Sequence, residues 1–221
     1  MMLALYILTT LAALILAAAV SPGRGRKLWL ALIALCWGIG QFNTLLEAVV
    51  FSVIPASAMA IQLLVSLIPI ALLATIAVAV TGKWRGPGPE NARPNLAWQR
   101  LLAVIVGYEI LYFGAGTIVW PFVQHFYADK PLPAATLIAA LQVPRSLVFV
   151  LSALLWLRTG PRHASLVLGV AFALIGGIAP MFPDNPYMPA DIRLAHGVET
   201  GTSNFLFGLL TGWLLRPGKA G

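Results

Sequence analysis

His196 and Glu199 stand three residues apart in the stretch 191–215, which also carries Arg193, Thr200, Ser203 and Asn204 yet is expected to cross a membrane. An i, i+3 spacing puts a nitrogen and an oxygen ligand on one helix face, as a metal site in a helical bundle requires. The bland alternative is a buried hydrogen-bonded pair that ties this helix to its neighbours. At 100° per residue, His196, Glu199, Thr200, Ser203 and Asn204 fall in an arc of about 140° with Arg193 inside it. Val198, Phe205, Leu206 and Leu209 lie opposite. One face is built for lipid and the other for a bundle interior. Gly197, Gly201 and Gly208 flank the polar arc, so a neighbouring backbone can approach closely.

Three other segments carry comparable groups. Cys36, Gly40, Asn43, Thr44 and Glu47 form one stripe, and Glu109, Tyr112, Gly116, Thr117, Trp120 and Gln124 share one broad face. Gln142 and Arg145 lie one turn apart, with Arg145 just after Pro144. A charged side chain at mid-bilayer costs about 3 kcal/mol on the mildest scale, so each of these groups needs a partner or a task. Glu47, oriented by Asn43, has three open roles: catalytic acid/base, proton carrier, or ion pair with Arg145. Arg145 either neutralises a carboxylate or anchors an anionic substrate through its planar fork. Glu109, beside Tyr112, is either a protonated structural acid or a functional one. Three acids against one arginine leave a deficit of two positive charges. A divalent metal held by His196, Glu199 and Glu47, protons on two carboxyls, or Arg193 with protonated His196 would each meet it.

The elements that must position these groups follow from hydropathy. Mean hydropathy is +0.89, with 60% hydrophobic and 10% charged residues, against about 25% charged in a soluble domain. A water-soluble fold is therefore excluded. Seven stretches reach spanning length: 2–20, 28–54, 59–81, 101–127, 135–157, 164–182 and 191–215. The first lacks a basic n-region, and its positive residues come after the apolar run, so it reads as a retained helix and not as a cleaved signal. With the N-terminus outside, the inner loops and tail hold Arg24, Arg26, Lys27, Lys83, Arg85, Arg93, Arg100, Arg158, Arg162, Arg216 and Lys219, 11 of the 14 basic residues. That bias places the C-terminus in the cytoplasm. Trp84, Trp98, Trp156 and Trp213 fall near the inner boundaries, where aromatic belts belong. Pro55, Pro131, Pro133, Pro183, Pro186 and Pro189 punctuate the loops on the other side. The expected architecture is an all-α, seven-helix transmembrane bundle forming one domain, 1–221.

Counting about 1.5 Å per residue from the helix ends brings Glu47, Glu109, Arg145 and Glu199 into one layer, slightly outward of the midplane. His196 lies just above it, and His125 and Arg193 lie near its outer mouth. The first, third and sixth helices carry only scattered polar residues and read as scaffold. The lone Cys36 excludes an intrachain disulfide and any multi-cysteine metal site, and reads as a small core residue. His163 reads as a solvated or headgroup-facing loop residue. A bis-histidine heme site is disfavoured, because only His125 and His196 are eligible and both lie near the outer mouth. All four lysines lie in loops or the tail, so no retinal Schiff base can form. The basic balance is explained by loop placement, without nucleic acid.

Length, helix count and paired intramembrane acids resemble the small membrane terpene cyclases in architecture. That likeness implies a buried carboxyl that protonates a polyprenyl substrate, with Glu47 and Glu199 as the matching positions and no shared motif. The paired-glutamate motif of glutamic intramembrane proteases is absent. The expected function is a membrane-embedded enzyme acting on a lipidic or small apolar substrate, in a bacterial inner membrane. Glu47, Glu199, Arg145 and Glu109 would do the chemistry, and Asn43, Asn204, Tyr112, Gln142 and Ser203 would orient the substrate. The alternatives are a proton- or cation-coupled transporter using the same carboxylates, and a non-catalytic assembly subunit.

Overall fold

A computed structural model of the chain describes residues 1–86, 88, 92–130, 132–185 and 188–216. Among them the regular structure is helical throughout. Six helices are long and apolar enough to cross a membrane: α1 (Met2–Val20), α2 (Gly25–Val50), α3 (Ala56–Val80), α4 (Trp98–Tyr127), α5 (Ala135–Leu157) and α6 (Ala164–Met181). A further long helix, α7 (Ala190–Leu215), carries the polar arc. Lys219, Pro131 and Pro186, used above for topology and punctuation, lie outside the described residues.

The helices pack in a closed ring. α6 and α7 make the most extensive pair. α7 then packs on α4, α4 on α5, α5 on α2, α2 on α3, α3 on α1, and α1 returns to α6. The α6–α7 contact is tight because glycines line it. A Cβ on Gly208 would sit 2.3 Å from the Leu168 carbonyl oxygen, and one on Gly177 would sit 2.6 Å from the Gly201 nitrogen. In a membrane, close backbone approach of this kind substitutes dispersion contact for a hydrophobic driving force that lipid does not provide.

Two helices contain a widened turn. In α2 the segment Trp37–Phe42 is π-helical, and the Asn43 amide reaches back five residues to the Gly38 carbonyl. In α6 the segment Leu174–Ile178 is likewise π-helical, with the Ala179 amide bonded to the Leu174 carbonyl. The two widened turns face each other, since a Cβ on Gly176 would meet Ile39 and one on Gly40 would meet Ile175. Each π turn accommodates one extra residue in the helical ladder. Residues beyond it therefore sit about 100° from where an unbroken α-helical count would put them. The stripe expected on α2 needs one correction: Asn43 is buried but Thr44 is exposed, so Thr44 leaves the interior face.

Further corrections concern faces. Trp156 belongs to no aromatic belt: it is fully buried and its indole N–H donates to the Ala17 carbonyl at 3.0 Å. Trp84, Trp98 and Trp213 are exposed. On α4 the buried positions are Val104, Tyr108, Val119 and Val123, while Thr117, Trp120 and Gln124 are exposed. The expected broad polar face of α4 is thus split, and only part of it looks inward. Cys36 is buried, as a small core residue would be.

Two features differentiate the ends of the bundle. At the end holding the loops after α1, α3 and α5, the Lys83 ammonium caps the C-terminus of α1. It donates to the carbonyls of Ala18 (2.6 Å), Ala19 (2.8 Å) and Ser21. Burial first, and then the neighbouring Arg24 charge, hold this ammonium below the ordinary lysine value. Toward the same end, Tyr108, Phe149, Phe172 and Phe207 form a buried aromatic cluster. Its rings from α4, α5, α6 and α7 have centroids 4.6–5.9 Å apart. The polar groups lie on the other side of this cluster.

Candidate functional site

Two polar constellations sit side by side where α2, α4, α5 and α7 converge. The first is centred on Arg145, directly after Pro144 on α5. A proline has no amide hydrogen to give to the preceding turn. Arg145 is 8% exposed and engaged on three sides. Its Nε donates to Asn43 Oδ1 at 2.9 Å, and its Nη1 donates to Glu47 Oε1 and Gln142 Oε1, both at 3.0 Å. Its Nη2 lies 2.9 Å from Glu47 Oε2. The guanidinium therefore grips Glu47 bidentately, the strong geometry for a carboxylate. The Tyr112 hydroxyl donates to the same Glu47 Oε1 at 3.3 Å. Gln142 is held in turn by its amide N–H bond to the Ile138 carbonyl at 2.7 Å. The rings of Tyr112 and Tyr108 lie 5.4 and 5.9 Å from the guanidinium carbon, within cation–π range.

The geometry shows Arg145 paired with a carboxylate. Glu47, Asn43 and Gln142 already occupy most of its N–H donors, so it neutralises a carboxylate. An incoming anion would have to displace Glu47. Glu47 in turn is an ion-pair partner, clamped on both oxygens.

The second constellation is a chain of three groups on α4 and α7. The Tyr127 hydroxyl lies 2.9 Å from His196 Nε2, and His196 Nδ1 lies 2.7 Å from Glu199 Oε2. With side chains 18% and 14% exposed, His196 and Glu199 are largely shielded. A carboxylate on one ring nitrogen orients the imidazole and stabilises its protonated form, and the other nitrogen is left to exchange a proton with a hydroxyl. Trp120 stacks on Tyr127 with centroids 6.0 Å apart and planes at 16°, which fixes the tyrosine ring. Glu199 Oε1 has no hydrogen-bond partner among the described residues. It faces α4 where that helix has no side chain in the way: a Cβ on Gly116 would lie 3.4 Å from it. Tyr112 and Tyr127 each lie within electrostatic reach of both Glu47 and Glu199, so the two constellations share one layer.

Other residues expected at the site lie elsewhere. Glu109 makes no hydrogen bond or ion pair with a described residue. It is half-buried on the flank of α4, beside the exposed Val106, Ile110 and Phe113 and within electrostatic reach of Tyr108. Ser203 spends its hydroxyl on its own helix, donating to the Glu199 carbonyl at 2.8 Å. Asn204 is buried but turned toward the widened turn of α6, with its amide nitrogen 3.2 Å from the place a Gly176 Cβ would take. Neither residue points at the gap between the two carboxylates.

The expected metal set of His196, Glu199 and Glu47 is not assembled. Among the described residues no group of three such ligands converges, because Glu47 is committed to Arg145. Arg193 does not balance the cluster either, since it pairs with Asp184 at 3.1 Å. Arg145 neutralises Glu47, Glu199 is hydrogen-bonded to His196, and Glu109 has no ion pair with a described residue.

Tyr127 and Tyr108 are the residues that sequence reasoning left out. Tyr127 lies 15 positions after Tyr112 and so only about 60° from it around the helix. That offset was enough to place it on the interior side. No family model, curated protein or solved structure matches this chain.

Proposed function

We propose that the protein is a seven-span membrane enzyme, N-terminus outside, that performs proton transfer on a lipidic or small apolar substrate. His196 is the exchanging group, Glu199 orients it and carries its charge, and Tyr127 relays the proton or holds the reacting atom. Glu47 and Arg145 form the neutral wall against which the substrate is placed, with Tyr112 between the two carboxylates. The observation that carries this reading is the pairing of an aligned Tyr127–His196–Glu199 chain with the aromatic closure formed by Tyr108, Phe149, Phe172 and Phe207. A carrier needs polar access from both faces in turn. Here the path beyond Tyr112 runs into four buried rings, whereas the site side opens toward the ends of α4 and α7. A substrate reaching the site laterally, past Gly116, meets the free oxygen of Glu199.

The test compares membranes from cells expressing the protein with those expressing His196→Ala at matched levels. Untargeted mass analysis of the apolar extracts should show a product that depends on the unaltered protein. Its formation should fall about 100-fold or more in the variant, the scale on which positioned acid–base groups act. Identical extracts would count against catalysis. Proton or cation flux in proteoliposomes that His196→Ala abolishes would overturn it in favour of transport.

A further inference from the structure

The face of α7 turned away from His196 and Glu199 borders a second feature. A groove of about 670 Å³ runs between α7, the end of α6 and the start of α1, walled by Met2, Ile178, Met181, Leu194, Val198 and Phe205, among others. Leu194 and Val198 are 71% and 61% exposed, so the groove lies open to the surroundings of the bundle along its length. At the head of α7 it meets a second hollow of about 400 Å³, lined by Asp184, Asn185, Met188 and Pro189. Ala190 and Arg193 line both. The result is an apolar trough that ends in a polar notch, with a guanidinium at the junction.

The charges in the notch define what fits it. Arg193 is only 14% exposed and is braced by the Pro183 carbonyl at 2.8 Å, while Asp184, 3.1 Å from its Nη2, is 90% exposed. The arginine is fixed and the aspartate is free to turn outward. One cation and one anion sum to zero, so a net-anionic headgroup gains at Arg193 and loses at Asp184. A headgroup that carries both a phosphate and an N–H-donating ammonium satisfies both residues. The trough, set in hydrocarbon, is filled by a chain of the same substance. We propose that groove and notch together bind one phospholipid with a primary-amine headgroup: an acyl chain along α7, the phosphate on Arg193 and the ammonium on Asp184.

The test uses the full-length protein, delipidated in mild detergent and re-exposed to vesicles of phosphatidylethanolamine, phosphatidylcholine or phosphatidylglycerol. Bound lipid is counted by native mass spectrometry. The unaltered protein should retain phosphatidylethanolamine about tenfold better than phosphatidylcholine, because a quaternary ammonium cannot donate the charged hydrogen bond to Asp184. Asp184→Asn should bring the two close to parity. Val198→Trp, at an exposed position whose larger ring fills the trough, should abolish retention of all three. A thermal-unfolding trace unchanged from the parent shows that each variant is folded. Equal retention of the three lipids, a preference for phosphatidylglycerol, an ethanolamine preference that survives Asp184→Asn, or no lipid retained by the folded parent would each overturn the assignment.

Discussion

Removing either member of the Glu47–Arg145 pair should unfold the bundle far more readily than removing both. In Glu47→Leu the guanidinium keeps only Asn43 and Gln142, having lost the bidentate contacts of 3.0 and 2.9 Å to the carboxylate. An uncompensated charge then stays in the interior, a loss of about 3 kcal/mol. Arg145→Met strands the carboxylate with only the 3.3 Å contact from Tyr112, a similar loss of about 3 kcal/mol, and also orphans the amides of Asn43 and Gln142 at about 1 kcal/mol each, about 5 kcal/mol in all. In the double variant no charge remains, and only those two amides cost, about 2 kcal/mol together. The double loss of about 2 kcal/mol against a summed ~8 leaves a coupling of roughly 6 kcal/mol. At about 2–4 °C per kcal/mol for a chain of this size, Glu47→Leu should melt roughly 10 °C lower, Arg145→Met roughly 15 °C lower and the double only about 6 °C lower. Heating in detergent, followed by fluorescence-detected size exclusion, reads this directly. Additive losses, or single variants that melt with the parent, would refute a charged pair held in the interior.

Tyr127→Phe removes the hydroxyl that meets His196 Nε2 at 2.9 Å and should lower turnover by about 100-fold with the melting temperature nearly unchanged, as a substrate-level assay would show. Glu109→Gln should leave both melting and turnover at parental values, because the carboxyl makes no hydrogen bond or ion pair with a described residue and its contact with Tyr108 is electrostatic only; a loss of either would return it to the site. Gly208→Ala forces a methyl to within 2.3 Å of the Leu168 carbonyl oxygen and should destabilise the α6–α7 pair by about 2 kcal/mol, visible as earlier unfolding. Lys83→Met uncaps three carbonyls at the end of α1 and should cost about 1 kcal/mol or more, read as faster proteolysis in the loop after Val20.

Helix extents were legible because membrane length and apolar composition leave few options. The stretch expected at 135–157 forms Ala135–Leu157, and that at 2–20 forms Met2–Val20. The inward face of α7 was legible for the same reason: a regular helix keeps its 100° phase, so His196 and Glu199 had to share a side. On α2 the stripe failed at Thr44, which is exposed beside the buried Asn43, and the π turn at Trp37–Phe42 was announced by nothing except the spacing of its glycines. Glu109 is a different case. Depth alone placed it in the layer, but depth says nothing of azimuth, and Tyr108 takes the inward direction on α4. Trp156 was misplaced because tryptophan at a helix end serves a belt or a core equally well, and only the Ala17 carbonyl decides.

The widened turn at Trp37–Phe42 also makes α2 unevenly tolerant of changes in length. Loss of one residue inside that turn would relax it to ordinary α-helix, with Glu47 still aimed at Arg145 and the half from Gly25 to Cys36 still seated on α3 and α5. The same loss between Asn43 and Glu47 has no slack to consume, and would swing Glu47 about 100° away from the guanidinium. The wide turn is thus a reserve of one residue, through which this helix can shorten without giving up its interior ion pair.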